Sequence, residues 1–151
     1  MKRFVRVVVR TAEERFLVLR EVPRPWWNFP GGKVERDEVP IEAARRELFE
    51  EVGLDAEITA LELIHQGVFD LFGISWEGFF YFAHHVSGAA EPREGEDIAL
   101  SWSTLEELSS LASLPGLLED VARLVQTRGS PGPPASLRCY RGRAEGVDGC
   151  A

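Results

Sequence analysis

The sequence predicts a single α/β domain, and three observations carry that reading. Short β-branched or alternating runs recur at residues 5–10, 15–21, 57–66, 78–86 and 98–102. Two segments, residues 40–52 and 115–126, instead carry apolar residues at helical spacing. The chain has 151 residues, of which 44% are hydrophobic and 10% aromatic. That suits one packed core and is too apolar for global disorder.

Residues 5–10 read as a strand, residues 11–14 as a turn, and residues 15–21 as the hairpin partner. In that partner Phe16 and Val18 alternate with Leu17 and Leu19. Pro23, Pro25 and Pro30 then break the chain into a loop carrying Trp26 and Trp27. Pro30-Gly31-Gly32 is a tight backbone feature leading towards a helix over residues 40–52. Pro40 suits the first helical position, where its missing N–H would be unpaired anyway. Ile41, Ala44, Leu48 and Val52 make the buried stripe, and Gly53 ends it. Val39 falls where Ser, Thr or Asp would cap better. Residues 57–66 and 78–86 read as strands joined by residues 69–76, and residues 98–102 as a further strand. Thr104 is placed to cap a helix through Leu108, with Glu107 at the capping-box position. Residues 115–126 are amphipathic, with Leu117, Leu118, Val121, Leu124 and Val125 apolar. There is no internal repeat.

From Thr127 the character changes. Ser130-Pro131-Gly132-Pro133-Pro134 builds neither a helix nor a central strand. The sequence therefore predicts a domain over residues 1–126 and a flexible or loosely attached tail over residues 127–151. The net charge is −8, split as −10 in the body and +2 in the tail. An acidic body repels a nucleic-acid backbone, so no polymer partner is expected. A small anionic ligand remains compatible where a divalent cation mediates the contact. No apolar run approaches the ~20 residues of a membrane span. Met1-Lys2-Arg3-Phe4 and the run after it lack the apolar region of a signal peptide, so a cytoplasmic location is expected. Cys139 and Cys150 both fall in the tail, and make neither a disulfide framework nor a zinc site.

The informative stretch is Arg46-Glu47-Leu48-Phe49-Glu50-Glu51. Glu47, Glu50 and Glu51 stand at i, i+3 and i+4, so a helix puts them on one face. Like charges so placed repel by a few tenths of a kcal/mol per pair, roughly. A hard cation would remove that repulsion, because Mg²⁺ prefers carboxylate oxygens and retains water and phosphate ligands. The alternative is a solvated acidic face. Pro30-Gly31-Gly32 precedes this helix, and glycine lets backbone approach a ligand closely. Such a loop can aim carbonyls at a metal and N–H groups at phosphate.

Gly32, five residues, Glu38, seven residues, Arg46-Glu47-Leu48, one residue, Glu50-Glu51, one residue, Gly53-Leu54: this series resembles the complete Nudix box. It fills nine specified positions in 23 residues. Upstream, Trp27-Asn28-Phe29-Pro30-Gly31-Gly32-Lys33-Val34-Glu35 is similar to MutT-type members. Downstream, Ser101-Trp102 and Leu105-Glu106-Glu107-Leu108 resemble the family's strand-then-helix ending. The resemblance spans residues 3–126. It implies an α/β/α sandwich with a mixed sheet, and metal-dependent hydrolysis of a phosphoanhydride. It implies that the Gly32 carbonyl and the carboxylates of Glu47, Glu50 and Glu51 hold one or more Mg²⁺ or Mn²⁺ ions. It implies that Glu47 or a neighbour activates water, and that Arg46 orients the carboxylates through Glu38. Glu96 stands where members often carry a further carboxylate facing the metals; Glu94 and Asp97 compete for that role, as does a plain solvated loop.

Trp26, Trp27 and Phe29 flank the glycines and are candidates to stack on a base, with core packing the alternative for Phe29. Arg20 and Lys33 are candidates to meet phosphate or base, or are ordinary surface cations. Gly31 joins them as a backbone donor. His65, His84 and His85 show no ligand spacing. Subfamily marks beyond the box are missing: Phe69-Asp70-Leu71-Phe72 holds neither the Pro of ADP-ribose hydrolases nor the Tyr of diadenosine polyphosphate hydrolases. By elimination, and by the MutT-like glycine loop, the resemblance favours a nucleoside triphosphate, including oxidised forms, cut to monophosphate and pyrophosphate. ADP-ribose or a nucleotide sugar is the second expectation. A nucleotide sensor without turnover and an assembly module using the tail are the others. A monomer or homodimer is expected.

Overall fold

The computed structural model describes residues 1–93, 97–111, 117–126, 139–143 and 146–150. In chain order the first elements are β1 (Lys2–Val8), β2 (Phe16–Glu21), β3 (Trp27–Asn28), β4 (Gly31–Lys33), α1 (Pro40–Val52) and β5 (Leu61–Leu71). There follow β6 (Ile74–Ala83), β7 (Ile98–Ser103), α2 (Leu105–Leu108), α3 (Leu117–Gln126), β8 (Cys139–Arg143) and β9 (Gly146–Cys150). A six-stranded mixed sheet runs β4-β1-β6-β5-β8-β9, and a three-stranded antiparallel sheet runs β3-β2-β7.

Helices close both sides. Ala43, Ala44, Leu48 and Val52 of α1 pack with Val5 and Val7 of β1 and with Leu17 and Leu19 of β2. On the other side Leu108, Leu118, Val121 and Val125 of α2 and α3 meet Val8, Phe16, Val18 and Phe80. Adjacent residues of β2 thus enter opposite cores, and its apolar run is buried on both faces. This is the α/β/α sandwich with a mixed sheet. Leu48 is wholly buried beneath the acidic face of α1, and truncating such a leucine costs about 2–5 kcal/mol.

α1 starts at Pro40 and ends at Val52, with Gly53 at φ 75° donating its N–H to the Phe49 carbonyl at 2.9 Å. Val39 makes no side-chain cap bond. At α2, Thr104 Oγ1 accepts the Glu107 N–H at 3.2 Å and donates to Glu107 Oε1 at 3.0 Å. The capping box forms, but its glutamate returns to the hydroxyl.

Two expectations change. Residues 11–14 turn the chain, with an Arg10–Phe16 bridge beyond them, but the expected hairpin then parts. Both edges of β1 are taken, by β4 and in parallel by β6, so β2 pairs with β7 instead. The expected link at residues 69–76 is mostly strand. β5 begins at Leu61 and reaches Leu71, and Phe72 (φ 51°) with Gly73 (φ 81°) makes a two-residue turn into β6. Two positive φ values match the twist of a tight hairpin. Within residues 139–150 the described strands β8 and β9 pair antiparallel, and β8 meets β5 at Asp70↔Arg141 and Leu71↔Gly142.

Candidate functional site

The glycines are a strand edge. Val5↔Gly32 and Arg6↔Gly31 are rungs of the antiparallel β1–β4 pair. A Cβ at Gly31 would run into the Val5 carbonyl oxygen. A Cβ at Gly32 would sit 2.5 Å from the Glu47 carboxylate. Glycine is therefore what lets β4 lie against β1 while α1 brings its acids alongside. The Gly31 N–H donates to Glu51 Oε1 at 3.0 Å, tying strand to helix.

Arg46 organises the other acids. Its Nε and Nη2 grip Glu38 at 2.7 and 2.8 Å, a bidentate fork. Its Nη1 donates to Glu47 Oε1 at 2.9 Å and to Glu50 Oε2 at 3.1 Å, and Nη2 also reaches the Lys33 carbonyl at 3.1 Å. The hydrogen bonds from Arg46 hold Glu38 below the usual carboxylate range, and those same bonds raise the guanidinium's own pKa. Arg46 thus holds Glu47 and Glu50 directly, while Glu38 anchors the far side of the fork.

Glu51 is the perturbed acid. Burial pushes its carboxyl up to about 8, against the pull of Arg6 and the Gly31 N–H, and nearby Glu47 adds to the rise. Glu47 and Glu51 line a cleft of about 440 Å³ with Gly31, Gly32, Arg6 and Asn28. Glu50 lies outside that lining and is more than half exposed. Among the described residues no three acid or imidazole groups converge closely enough to hold a metal as they stand. Arg46 holds Glu47 and Glu50, and Gly31 holds Glu51. Glu94 and Glu96 lie outside the described residues. Asp97 is exposed, and its carbonyl accepts the Val22 N–H at 2.9 Å.

A second cavity of about 220 Å³ adjoins the cleft. Its walls are the rings of Phe4, Phe69, Trp76 and Phe80, with Asn28 and Lys33 as polar members. Lys33 Nζ stands 5.8 Å from the Trp76 ring centre. Asn28 Oδ1 accepts the Phe29 N–H at 2.8 Å, which commits the oxygen and leaves the amide NH₂ as a donor. Arg6, Asn28 and Gly32 line both cavities.

Other candidates fall elsewhere. Phe29 is wholly buried in the core. Arg20 stacks on Trp27 at 5.5 Å and donates to the Arg24 carbonyl at 2.9 Å, and neither Arg20 nor Trp27 borders the two cavities. Trp26 is exposed and lines the cleft. His65 packs edge-on to Phe69, and His84 stands 3.7 Å from Glu62. Sequence reasoning passed over Arg6, although a charge inside Val5-Arg6-Val7-Val8-Val9 was a signal, because charged residues are rarely buried in strands without a partner.

A sandwich whose acidic helix face meets a glycine rung defines the class, that of the Nudix hydrolases. The chain belongs to the NUDIX family, whose domain model matches residues 1–125. It is 33% identical over 107 residues to a MutT-like protein of Streptomyces ambofaciens, covering 68% of this chain and 63% of that protein. It is 29% identical over 140 residues to phosphatase NudJ of Escherichia coli K12, covering 86% of this chain and 77% of that one. Among solved structures, the MutT protein from Bacillus halodurans superposes with a TM-score of 0.76 at 22% identity, covering 96% and 92% of the two chains. MutT from Methanosarcina mazei Go1 gives 0.67 at 26% identity, covering 85% of this chain and 95% of that one.

Proposed function

We propose that this chain hydrolyses a phosphoanhydride of a nucleoside triphosphate, releasing the monophosphate and pyrophosphate. One observation carries the reading: an aromatic slot adjoins an acidic cleft, and the two share Arg6, Asn28 and Gly32. A base stacked in the slot gains about 1–3 kcal/mol and leaves its phosphates at the carboxylates. Relatives named MutT-like and MutT, at 33% and 26% identity, support this reading.

The donor set fits a hard divalent cation, Mg²⁺ or Mn²⁺. Glu47, Glu50, Glu51 and the Gly32 carbonyl offer only oxygen, and the missing Cβ of Gly32 leaves room beside Glu47. Glu96 belongs to the same proposed set. Such a cation supplies charge neutralisation at phosphate and a lowered pKa for bound water. Glu47, lining the cleft, is the proposed base for the attacking water. Arg46 keeps Glu47 and Glu50 turned to one side, and Glu38 keeps Arg46 in place. Lys33, on the slot wall, is the proposed base contact, and the Gly31 N–H, already donated to Glu51, leaves the phosphate-binding set. Arg20, Trp27 and Phe29, which border neither cavity, leave the binding set.

A phosphate-release screen with Mg²⁺ over nucleoside triphosphates, oxidised nucleotides, nucleotide sugars and ADP-ribose tests the reading. Pyrophosphate from triphosphates is expected; no turnover of any nucleotide defeats it. Trp26, exposed in the cleft, favours a second reading in which the leaving group carries its own ring, as in ADP-ribose. Cleavage of such diphosphates alone would select it. The catalytic unit is proposed to be residues 1–126, so a chain ending at Gln126 should keep its turnover. No described helix is long and apolar enough to cross a membrane. We place the reaction in the cytoplasm, carried out by a monomer or homodimer, which cell fractionation and sedimentation would test.

A further inference from the structure

The proposed chemistry leaves Arg6 without a task. β1 places it between Val5 and Val7, whose side chains are wholly buried. Among the described residues its one hydrogen bond runs from Nη1 to the Phe29 carbonyl at 3.3 Å. Its Nε is shut off from solvent and has no partner. Glu51, Glu47 and Glu21 act on it through space, yet none of them forms an ion pair with it. A guanidinium held only for structure would have its donors paired, since a buried unpaired donor is costly. The Arg6 guanidinium carbon also stands 5.8 Å from the Phe4 ring centre, so the charged head itself lies at the slot wall.

Of the three residues common to slot and cleft, Arg6 alone is charged. A nucleotide with its base in the slot and its anhydride at the carboxylates must cross this junction with the phosphate that is esterified to the sugar. We propose that Arg6 is a substrate-binding residue that holds this sugar-linked phosphate. The inference rests on the nucleotide reading of the site. Nη2, which makes no hydrogen bond among the described residues and is not shut off from solvent as Nε is, is the donor the phosphate oxygen meets, and the contact is charge-assisted. The acids around Arg6 keep the guanidinium in place without using up its donor.

The test compares affinities of nucleoside monophosphates with those of the matching nucleosides, for the four common bases, by calorimetry with Mg²⁺. In the wild type the phosphate should improve affinity about tenfold to a hundredfold. Arg6→Met should bring that ratio close to one, whatever it does to the affinity for the nucleoside alone. An unchanged ratio in a folded Arg6→Met overturns the proposal. Should Arg6→Met not fold, Arg6→Lys carries the test. It keeps the charge and loses the planar fork, so the ratio should fall at least about threefold, and an unchanged ratio again overturns the proposal. A wild type that binds nucleotides while its variants keep the ratio defeats only the role of Arg6. A wild type that binds none of the monophosphates defeats the nucleotide reading as well.

Discussion

Glu51→Gln should stabilise the metal-free protein, by an amount that grows with pH. The Glu51 carboxyl is pushed from 4.5 up to about 8, chiefly by burial. Glutamine keeps an acceptor for the Gly31 N–H and brings no charge. Between those two values the folded wild type retains a proton that the unfolded chain has released. Its stability therefore falls as pH rises through the window from 4.5 to about 8. Each unit is worth about 1.36 kcal/mol, so full displacement sets a ceiling of about 5 kcal/mol. Partial access of solvent to a half-buried carboxyl reduces the expected gap to about 2–4 kcal/mol. Urea unfolding in a chelating buffer at about pH 5, 7 and 9 measures both proteins. The gap in favour of glutamine should be small at the acid end, widen through neutrality and level off above about pH 8. Saturating Mg²⁺ should reverse the order, because a ligand bound only by the folded state stabilises it. A gap that stays flat with pH, or closes as pH rises, refutes the account of Glu51.

Three further outcomes are expected. Glu50→Gln should fold normally and lose at least about a hundredfold in kcat, the scale of removing one electrostatic contact to the reacting centre. Wild-type turnover would remove Glu50 from the proposed cation ligands. Gly32→Ala puts a methyl 2.5 Å from the Glu47 carboxylate, whose side chain can swing aside. Turnover should drop at least about tenfold while Tm, read by calorimetry, shifts by less than about 4 °C. Arg46→Ala strands Glu38, Glu47 and Glu50 and should cost about 2–4 kcal/mol near neutrality. The contribution of Glu38 exists above its unfolded pKa and is lost as pH falls through its depressed folded value, so the gap from wild type should close in acid.

What the sequence disclosed was local. α1 was legible end to end because its stripe, Pro40 and Gly53 all lie within one short window. Its acids and Gly32 were legible because their spacing is fixed along the chain. The pairing of β1 with β6 was not, since partners such as Val8 and Phe82 lie far apart in sequence and neither strand alone specifies the other. The apolar run of β2 gave no hint that two cores claim its two faces. The turn at Phe72-Gly73 was hidden because phenylalanine seldom takes a positive φ. The aromatic slot was out of reach for the same reason as the strand pairing. Phe4, Phe69, Trp76 and Phe80 come from three strands and show no spacing among themselves.

Strand β1 supplies Phe4 to the slot, Arg6 to the junction and the backbone rungs on which Gly31 and Gly32 are hung. On the proposed reading, a redesign of which ring the slot takes should therefore leave that strand alone. Phe69 and Trp76 wall the slot without bordering the acids, so saturation mutagenesis there offers a route to new selectivity that spares the reaction centre.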